Sequence, residues 1–254
     1  MKTRLYFAGQ GSQGKQTIDK LGAERRLYAF CDKNTILKEP PHLYKESFLD
    51  SSAFSVWTGK VKIDIQQYAV FLLKNKNLFT VYANLDVIGN AKETEKNQIF
   101  LESQGLSPLP TFHIRSEISE LKKLMEKYHY IGIGGMVGSG RTERDYYLRN
   151  IFLLWNDYRK TSRTVRFHGW GMTDFTLLKK FPFYSVDSTS WLSMMRFGTI
   201  PILKNGKVCG SKNKFIGLKR GGKDGADAAN SYIVHFYQNY IEKFGIELPE
   251  FEKV

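Results

Sequence analysis

The strongest constraint on the fold is a regular alternation between short runs of β-branched and aromatic residues and longer segments of helical periodicity. Such alternation predicts repeated strand–helix units and a parallel sheet, because parallel neighbours need a long crossover connection. We predict eight strands, at Arg4–Phe7, Arg26–Phe30, Glu46–Leu49, Phe79–Leu85, Leu109–Phe112, Tyr130–Ile133, Thr164–Phe167 and Phe183–Val186. Apolar residues three and four apart predict helices at Ile65–Lys74, Lys92–Gln104, Ile118–Lys127, Glu143–Tyr158 and Asp174–Lys180.

Eight parallel strands are the number that closes a (β/α)8 barrel of the TIM type, an α/β fold of roughly 250 residues. The chain has 254 residues and no repeat, linker or low-complexity tract that indicates a second domain. We therefore predict a single barrel domain over residues 1–254. After the eighth strand, Asn205-Gly206 predicts a hairpin between Thr199–Leu203 and Lys207–Cys209, within an insertion at about 196–224, and a helix is predicted at about Ala226–Phe244.

The charge balance favours a polyanionic partner. The chain carries 38 Lys and Arg against 25 Asp and Glu, a formal net charge of +13, which attracts nucleic acid through long-range forces and counterion release. No apolar run is long enough for a signal peptide or a membrane span, so we expect a soluble protein of the cytoplasm (the host cytoplasm, if a phage encodes it) with no membrane partner. Cys31 and Cys209 are too few for a disulfide framework, and we expect both to be reduced.

Polar side chains follow six of the predicted strands, at the point where each strand ends. Parallel barrels build their active sites at the carboxyl ends of the strands. The residues at these ends are Asp50-Ser51-Ser52, Asp86, His113, Gly134-Gly135, His168-Gly169 and Asp187-Ser188. Each Asp or Ser could instead cap the helix that follows it, but capping explains the whole set less well.

Three carboxylates at one barrel mouth suit the exchange of a nucleobase. Glycosyl transfer at a sugar C1′ needs one carboxylate to attack the carbon and another to move a proton, roles that Asp187 and Asp50 could fill. A third carboxylate, Asp86, is suited to the adjacent N1–H and N2–H₂ donors of guanine.

Several segments resemble the tRNA-guanine transglycosylase superfamily. Leu49–Ser55 resembles the family's Asp-Ser-Gly-Gly-Phe-Gln segment, and Tyr130–Gly138 resembles its Tyr-Ala-Ile-Gly-Gly-Leu-Ala-Val-Gly segment. Val186-Asp187-Ser188 resembles the Phe-Asp-Cys nucleophile segment, with Arg196 at a similar distance beyond it. The order of the segments along the chain is preserved.

The resemblance is closer to the compact, phage-type branch that inserts 7-deazaguanines into DNA. Four segments in order carry it: Phe48–Trp57, Val81–Gly89, Phe167–Thr173 and Tyr184–Trp191. The resemblance implies a base-exchange transglycosylase, a pentosyltransferase, that replaces guanine in DNA with a free 7-deazaguanine base of the preQ0 or preQ1 type. It implies no cofactor and no catalytic metal.

The resemblance also implies residue roles. Asp187 would form a covalent link to the deoxyribose C1′, and Asp50 would act as general acid and base. The implied base-binding residues are Asp86 and His113 at the base edge, the Gly134-Gly135 backbone, Phe54 and His168 against the two faces, and Ser51 beside them. His113 and His168 stand where the tRNA enzymes have glutamine and methionine.

One departure from the tRNA enzymes is large. They hold a zinc ion with three cysteines and a histidine beyond the nucleophile. In this sequence Cys209 is the single cysteine beyond Asp187. We therefore expect no zinc subdomain, and DNA rather than tRNA as the polymer. Since the zinc subdomain takes part in dimerisation in known relatives, the sequence leaves the oligomeric state open.

A basic run follows the proposed nucleophile. No acidic residue lies between Asp187 and Asp224, so this segment is expected to contact the nucleic-acid backbone, although a solvated surface is the simpler reading. The expected phosphate-contacting residues are Arg196, Lys204, Lys207, Lys212, Lys214, Lys219 and Arg220.

Three alternatives remain open. The polymer could be tRNA, or the chain could be a basic nucleic-acid-binding barrel without turnover. The third is a nucleotide-cofactor enzyme, because Gly9–Gly14 fits the glycine pattern of dinucleotide-binding loops and Asp32 follows the second strand. A flexible first loop explains the same glycines.

Overall fold

The computed structural model describes residues 3–9, 18–38, 41, 44–197, 199–204, 207–211, 231–239 and 241. Eight strands form one sheet in the order β4-β3-β2-β1-β8-β7-β6-β5, and every neighbouring pair is parallel. The strands are β1 Arg4–Ala8, β2 Arg25–Ala29, β3 Glu46–Asp50, β4 Val81–Tyr82, β5 Thr111–His113, β6 Tyr130–Gly134, β7 Arg166–Gly169 and β8 Ser185–Ser188. All eight predicted strands are therefore confirmed.

The sheet is curled and compatible with a TIM-type fold, but no strand ladder closes it within the described residues. Strands β4 and β5 form its two edges. A single isolated parallel bridge pairs Ala83 with Leu109 between these edges, supported by the backbone hydrogen bond from Leu109 N–H to the Tyr82 carbonyl at 2.8 Å. The predicted strand Phe79–Leu85 is reduced to Val81–Tyr82, and Ala83 directly beyond it forms the isolated bridge with Leu109.

Helices connect the strands as the periodicity predicts. The α-helices are Lys33–Lys38, Ala53–Trp57, Ile65–Asn75, Ala91–Ser103, Ile118–Lys127, Arg141–Thr161, Phe175–Leu178 and Ser190–Phe197. The five predicted helices are all present. The sequence analysis missed the helices Lys33–Lys38, Ala53–Trp57 and Ser190–Phe197.

Side chains alternate between the two faces of each strand, and this alternation positions the site. On the concave face, Tyr6, Leu27 and Phe48 pack in one buried cluster, and the Tyr6 hydroxyl donates to Glu46 at 2.6 Å. The convex face packs against the helices in two further buried clusters. The concave face is thus filled up to its carboxyl edge.

The chain beyond β8 continues with an antiparallel hairpin, β9 Ile200–Lys204 and β10 Lys207–Ser211. This confirms the two predicted hairpin strands, while the Asn205-Gly206 turn lies outside the described residues. Residues 231–239 are helical, within the helix predicted at about Ala226–Phe244. Over the part of the chain that the structure describes, no helix combines the length and apolarity that a bilayer crossing requires.

Candidate active site

Strand alternation brings Asp50 and Asp187 to the same end of the concave face. Asp50 is the last residue of β3 and lies two positions beyond the buried Phe48. Asp187 lies two positions beyond Ser185 in β8 and pairs in register with Tyr6 of β1. Residues two apart in a strand share a face, so both carboxylates cap the filled interior at the carboxyl edge.

A cavity of about 480 Å³ opens above these carboxylates. Asp50, Asp86 and Asp187 all line it, together with Asp32, Arg115 and other groups from the segments that follow all eight strands. This volume lies within the range of small-molecule binding sites, roughly 300–1,000 Å³. The three acids predicted from the strand ends therefore do converge on one cavity.

The Asp50 carboxyl is held in an environment that favours its protonated form. Burial and the negative charges of Asp86 and Asp187 raise its pKa to about 7, against the weaker opposite effect of hydrogen bonds from the Ser52 and Ser51 backbone. Ser52 provides its N–H from a left-handed conformation, with φ of 69°. At neutral pH, Asp50 can therefore both donate and accept a proton.

Asp187 is fixed from the side and from below. The Gly171 N–H donates to its Oδ1 at 2.7 Å. Beneath it, His168 Nε2 lies 3.3 Å from the same oxygen without hydrogen-bond geometry, and His168 Nδ1 contacts Ser185 Oγ at 2.6 Å. Burial lowers the pKa of His168, and this effect is larger than the opposite effect of the nearby Asp187 carboxylate, which raises the pKa. A neutral imidazole therefore lies under an acid that a backbone amide orients.

Asp86 and His113 form a pair on the other side of the cavity. His113 Nε2 lies 2.8 Å from Asp86 Oδ2, and both residues line the cavity. Two glycines leave room beside them: a Cβ on Gly134 would meet His113 Cδ2 at 3.1 Å, and Gly135 has φ of +76°, which favours glycine. The structure therefore brings together Asp86, His113, Gly134 and Gly135, as predicted.

The expected role of His168 against a base face needs correction. His168 is completely buried and does not line the cavity. Its register partner in β8 is Ser185, so it occupies the layer below Asp187. Phe48 and Trp170 enclose its ring at centroid distances of 4.8 and 4.4 Å. A side chain in this position supports the floor of the cavity and cannot contact a ligand in it.

Ser51 does not reach the cavity, whereas Phe54 does. Ser51 is completely buried, its hydroxyl has no partner among the described residues, and it does not line the cavity. Phe54 lies in the helix Ala53–Trp57 and lines the cavity with 40% of its surface exposed. The base-stacking position predicted for Phe54 is sterically accessible.

The sequence analysis missed several cavity residues. Trp170 lines the cavity, and its indole N–H has no partner among the described residues. Its position two residues beyond His168 would have indicated the same face. The other missed lining residues include Trp57, Ile88, Arg115, Met136 and Val137, which lie in loops and short helices that have no fixed period.

The expected phosphate-contacting residues are only partly described. The backbone of Arg196 lies in the helix that follows β8, and Lys204 pairs in register with Lys207 across the hairpin. Lys212, Lys214, Lys219 and Arg220 lie outside the described residues, as do residues 10–14 of the glycine-rich loop. Gly9 lines the cavity with φ of 103°.

Neither a metal cluster nor the second cavity brings the three aspartates together. Within the described ranges, no group of three or more His, Cys, Asp or Glu side chains is arranged to hold a metal ion. A second cavity of about 230 Å³ lies between the helices Ala91–Ser103 and Ile118–Lys127, and His113 lines both cavities. Asp50, Asp86 and Asp187 line the larger cavity and not this one.

Comparisons with known proteins inform the fold alone. No family model and no curated protein matches the chain. A solved structure described as "Structural study of Project ID from Aquifex aeolicus VF5" aligns with 95% of this chain and 94% of its own, with a TM-score of 0.54 and 10% sequence identity. Similarity at this identity supports the α/β architecture.

Proposed function

We propose that the chain is a base-exchange transglycosylase that replaces guanine in DNA with a 7-deazaguanine, on a (β/α)8 barrel that the Ala83–Leu109 bridge completes. The observation that carries this proposal is the convergence of Asp50 and Asp187, in different environments, on one cavity that also holds the Asp86–His113 pair. Two carboxylates with separate roles are what glycosyl transfer with retention requires. The sequence resemblance to the compact transglycosylase branch supports the same assignment.

In the first half-reaction, a carboxylate oxygen of Asp187 attacks C1′ of the deoxyribose. The C1′–N9 bond breaks, its electron pair leaves with the guanine, and the guanine takes a proton from Asp50. The products are a deoxyribosyl ester of Asp187, free guanine and the Asp50 carboxylate. The backbone amide of Gly171 supports this step by holding Asp187 in one orientation.

In the second half-reaction, the incoming base reverses these steps. N9 of the 7-deazaguanine attacks C1′, its proton passes to the Asp50 carboxylate, and the ester bond to Asp187 breaks with its electron pair returning to the carboxylate. Two displacements at C1′ retain the β-anomer. Asp50 ends the cycle protonated, as it began.

Asp86 is the proposed reader of the base edge. Guanine and 7-deazaguanines both present N1–H and N2–H₂ donors, which a carboxylate can accept together. His113 lies 2.8 Å from one oxygen of Asp86 and fixes the carboxylate plane. One recognition group therefore serves the departing and the incoming base.

DNA is the proposed polymer for electrostatic and compositional reasons. The net charge of +13 favours a polyanion, and beyond Asp187 the chain has one cysteine, too few for the three-cysteine zinc site of the tRNA enzymes. The proposed second substrate is a free 7-deazaguanine base.

The experiment that tests the proposal offers labelled guanine, and separately labelled preQ1 and preQ0, to the protein with duplex DNA, single-stranded DNA or tRNA. Incorporation of label into DNA is expected. Incorporation into tRNA alone would assign the chain to tRNA exchange, and binding of DNA without any incorporation would favour a non-catalytic barrel. Tight binding of NAD or ATP at physiological salt would favour the cofactor reading of Gly9–Gly14.

A further inference from the structure

A short, rigid segment forms one lip of the cavity. The helix Ala53–Trp57 is followed by its C-cap Thr58 and by Gly59, whose φ of +72° reverses the chain. Backbone hydrogen bonds then fold the following residues onto the helix, from Lys60 N–H to the Ser55 carbonyl at 2.9 Å and from Gly59 N–H to the Val56 carbonyl at 2.9 Å. This is the hydrogen-bond pattern of a glycine C-cap, so the segment is held in one conformation.

Two aromatic rings on this lip face solvent. Trp57 is 58% exposed and Phe54 is 40% exposed, and both line the cavity. Their ring centroids lie 5.8 Å apart with a tilt of 39°. Leaving a large aromatic surface in water forgoes the stabilisation of burying it, which marks an exposed apolar patch as a binding surface. Trp57 is the more exposed of the two rings.

Basic residues follow the rings directly. Lys60 and Lys62 are exposed, and within the described part of the chain neither is within salt-bridge distance of a carboxylate. By contrast, Lys127 and Lys180 are each paired at 2.7 Å with a glutamate or aspartate. The lip therefore combines stacking surfaces with uncompensated positive charge, which is the composition of surfaces that bind single-stranded nucleic acid.

The cavity interior explains why these lysines lie outside it. Four aspartates, Asp32, Asp50, Asp86 and Asp187, line the cavity against one arginine, Arg115, which is paired with Glu143 at 2.8 Å. A phosphate group is therefore repelled from the interior, while a neutral base is not. When one nucleotide is extruded into the cavity, its flanking phosphates must remain at the mouth. The neighbouring base then loses a stacking partner, which the exposed ring of Trp57 can replace.

We propose that Trp57, Lys60 and Lys62, here called the aromatic lip, bind the unpaired nucleotide next to the one that is exchanged, while Phe54 faces the exchanged base. Trp57 stacks on the base of that nucleotide, and Lys60 and Lys62 contact its phosphates. This inference rests on the proposed function for the identity of the extruded base. The recognised group is a nucleobase face, so the contact tolerates any sequence.

The test compares the binding of a fluorescent 15-mer of thymidine with that of a 15-mer of abasic phosphodiester by anisotropy at fixed salt. The wild-type protein is expected to prefer the thymidine strand. Trp57→Ala is expected to weaken thymidine-strand binding about tenfold and to leave abasic-strand binding unchanged, while Trp57→Phe retains most of the preference. Equal preference in Trp57→Ala and wild type would overturn the stacking assignment.

The lysines are tested by the salt dependence of the same binding. Replacing both Lys60 and Lys62 with alanine is expected to reduce the slope of log Kd against log salt by about 1.4. The matched control replaces Lys74 and Lys76, which carry the same charge but lie at the other end of the helix Ile65–Asn75, away from the cavity. An equal change in slope for both double variants would overturn the phosphate assignment.

These measurements use no base exchange, so they separate the two proposals. If the wild-type protein binds the thymidine strand through Trp57 but incorporates no labelled base, the aromatic lip stands and the proposed function is ruled out. If the Trp57→Ala variant incorporates label at the wild-type rate and binds DNA with unchanged affinity, the proposed function stands and the aromatic lip is ruled out. Since Trp57 is exposed, thermal unfolding of Trp57→Ala is expected to match that of the wild type within a few degrees.

Discussion

The backbone N–H of Gly171 donates a 2.7 Å hydrogen bond to Oδ1 of Asp187. Gly171 has φ of +61°, in the left-handed region, so the turn after β7 is shaped to present this amide to the carboxyl edge of β8. The nucleophile proposed from sequence is therefore oriented by the backbone of the neighbouring strand connection. Such orientation from a rigid element is what pre-positioned catalysis requires.

The pH dependence of the first half-reaction follows from Asp50. Because its pKa is raised to about 7, the protonated form that donates to guanine is lost as the pH rises through this value. The rate of ester formation in a single turnover is expected to fall about tenfold per pH unit above roughly pH 7.5. The rate is measured by quenching the reaction at set times from pH 6 to 9 and quantifying the DNA–protein adduct. The DNA affinity over the same pH range is the control. A rate that stays flat to pH 9 would remove Asp50 as the proton donor.

Asp50→Asn is expected to stabilise the protein at high pH. A carboxyl whose pKa is raised on folding contributes fully to stability below its unfolded pKa, near 4, and this contribution is lost as the pH rises towards 7. Asparagine does not ionise. The free energy of unfolding of the variant should therefore exceed that of the wild type by roughly 1–3 kcal/mol at pH 8, and by less at pH 5. Urea unfolding at the two pH values measures this. An equal difference at both would contradict the raised pKa.

Asp86→Asn is expected to weaken the binding of free base. The substitution replaces a carboxylate oxygen by an NH₂ group that faces the N1–H and N2–H₂ donors, so the Kd for preQ1 should rise at least tenfold. Calorimetry with the free base measures it. Asp157→Asn is the control, because Asp157 lies on an exposed helix face with Lys160. An unchanged Kd in Asp86→Asn would show that another group reads the base.

Gly132→Ala tests the packing beneath the cavity. A Cβ at Gly132 would lie 2.2 Å from Nε1 of Trp170, whose ring lines the cavity, so the ring must move. Overpacking of this kind costs about 1–3 kcal/mol of unfolding free energy. Gly140→Ala is the matched control, since its Cβ would meet no atom within 4 Å. Equal stability of the two variants would mean that Trp170 is loosely held.

The eight strands and the four helices of ten or more residues followed from the sequence because burial imposes a period on each of them. Site residues at strand ends, such as Asp50 and Asp187, could be predicted for the same reason. The alternation of side chains between the two faces of a strand determines which residue at its end points inward. His168 and Ser51 were assigned wrongly to the ligand surface, because a strand-end position does not specify its depth in the concave layer. Depth depends on the register with neighbouring strands, and the pairing of His168 with Ser185 could not be inferred from either segment alone.

Residues contributed by irregular segments were the hardest to find. Trp57 and Val137 line the cavity from a five-residue helix and from a turn, where no apolar period exists. The aromatic lip depends on the left-handed conformation of Gly59, and a single glycine in a sequence does not specify the direction in which the chain continues.

The most direct test of the account is whether Asp187 becomes covalently attached to DNA. The protein is incubated with DNA in the absence of free base, denatured, and analysed by intact and peptide mass spectrometry. The account predicts an adduct on the peptide that contains Asp187, absent from Asp187→Asn and retained in the surface control Asp157→Asn. An adduct that persists in Asp187→Asn, or base exchange by that variant at the wild-type rate, would contradict it.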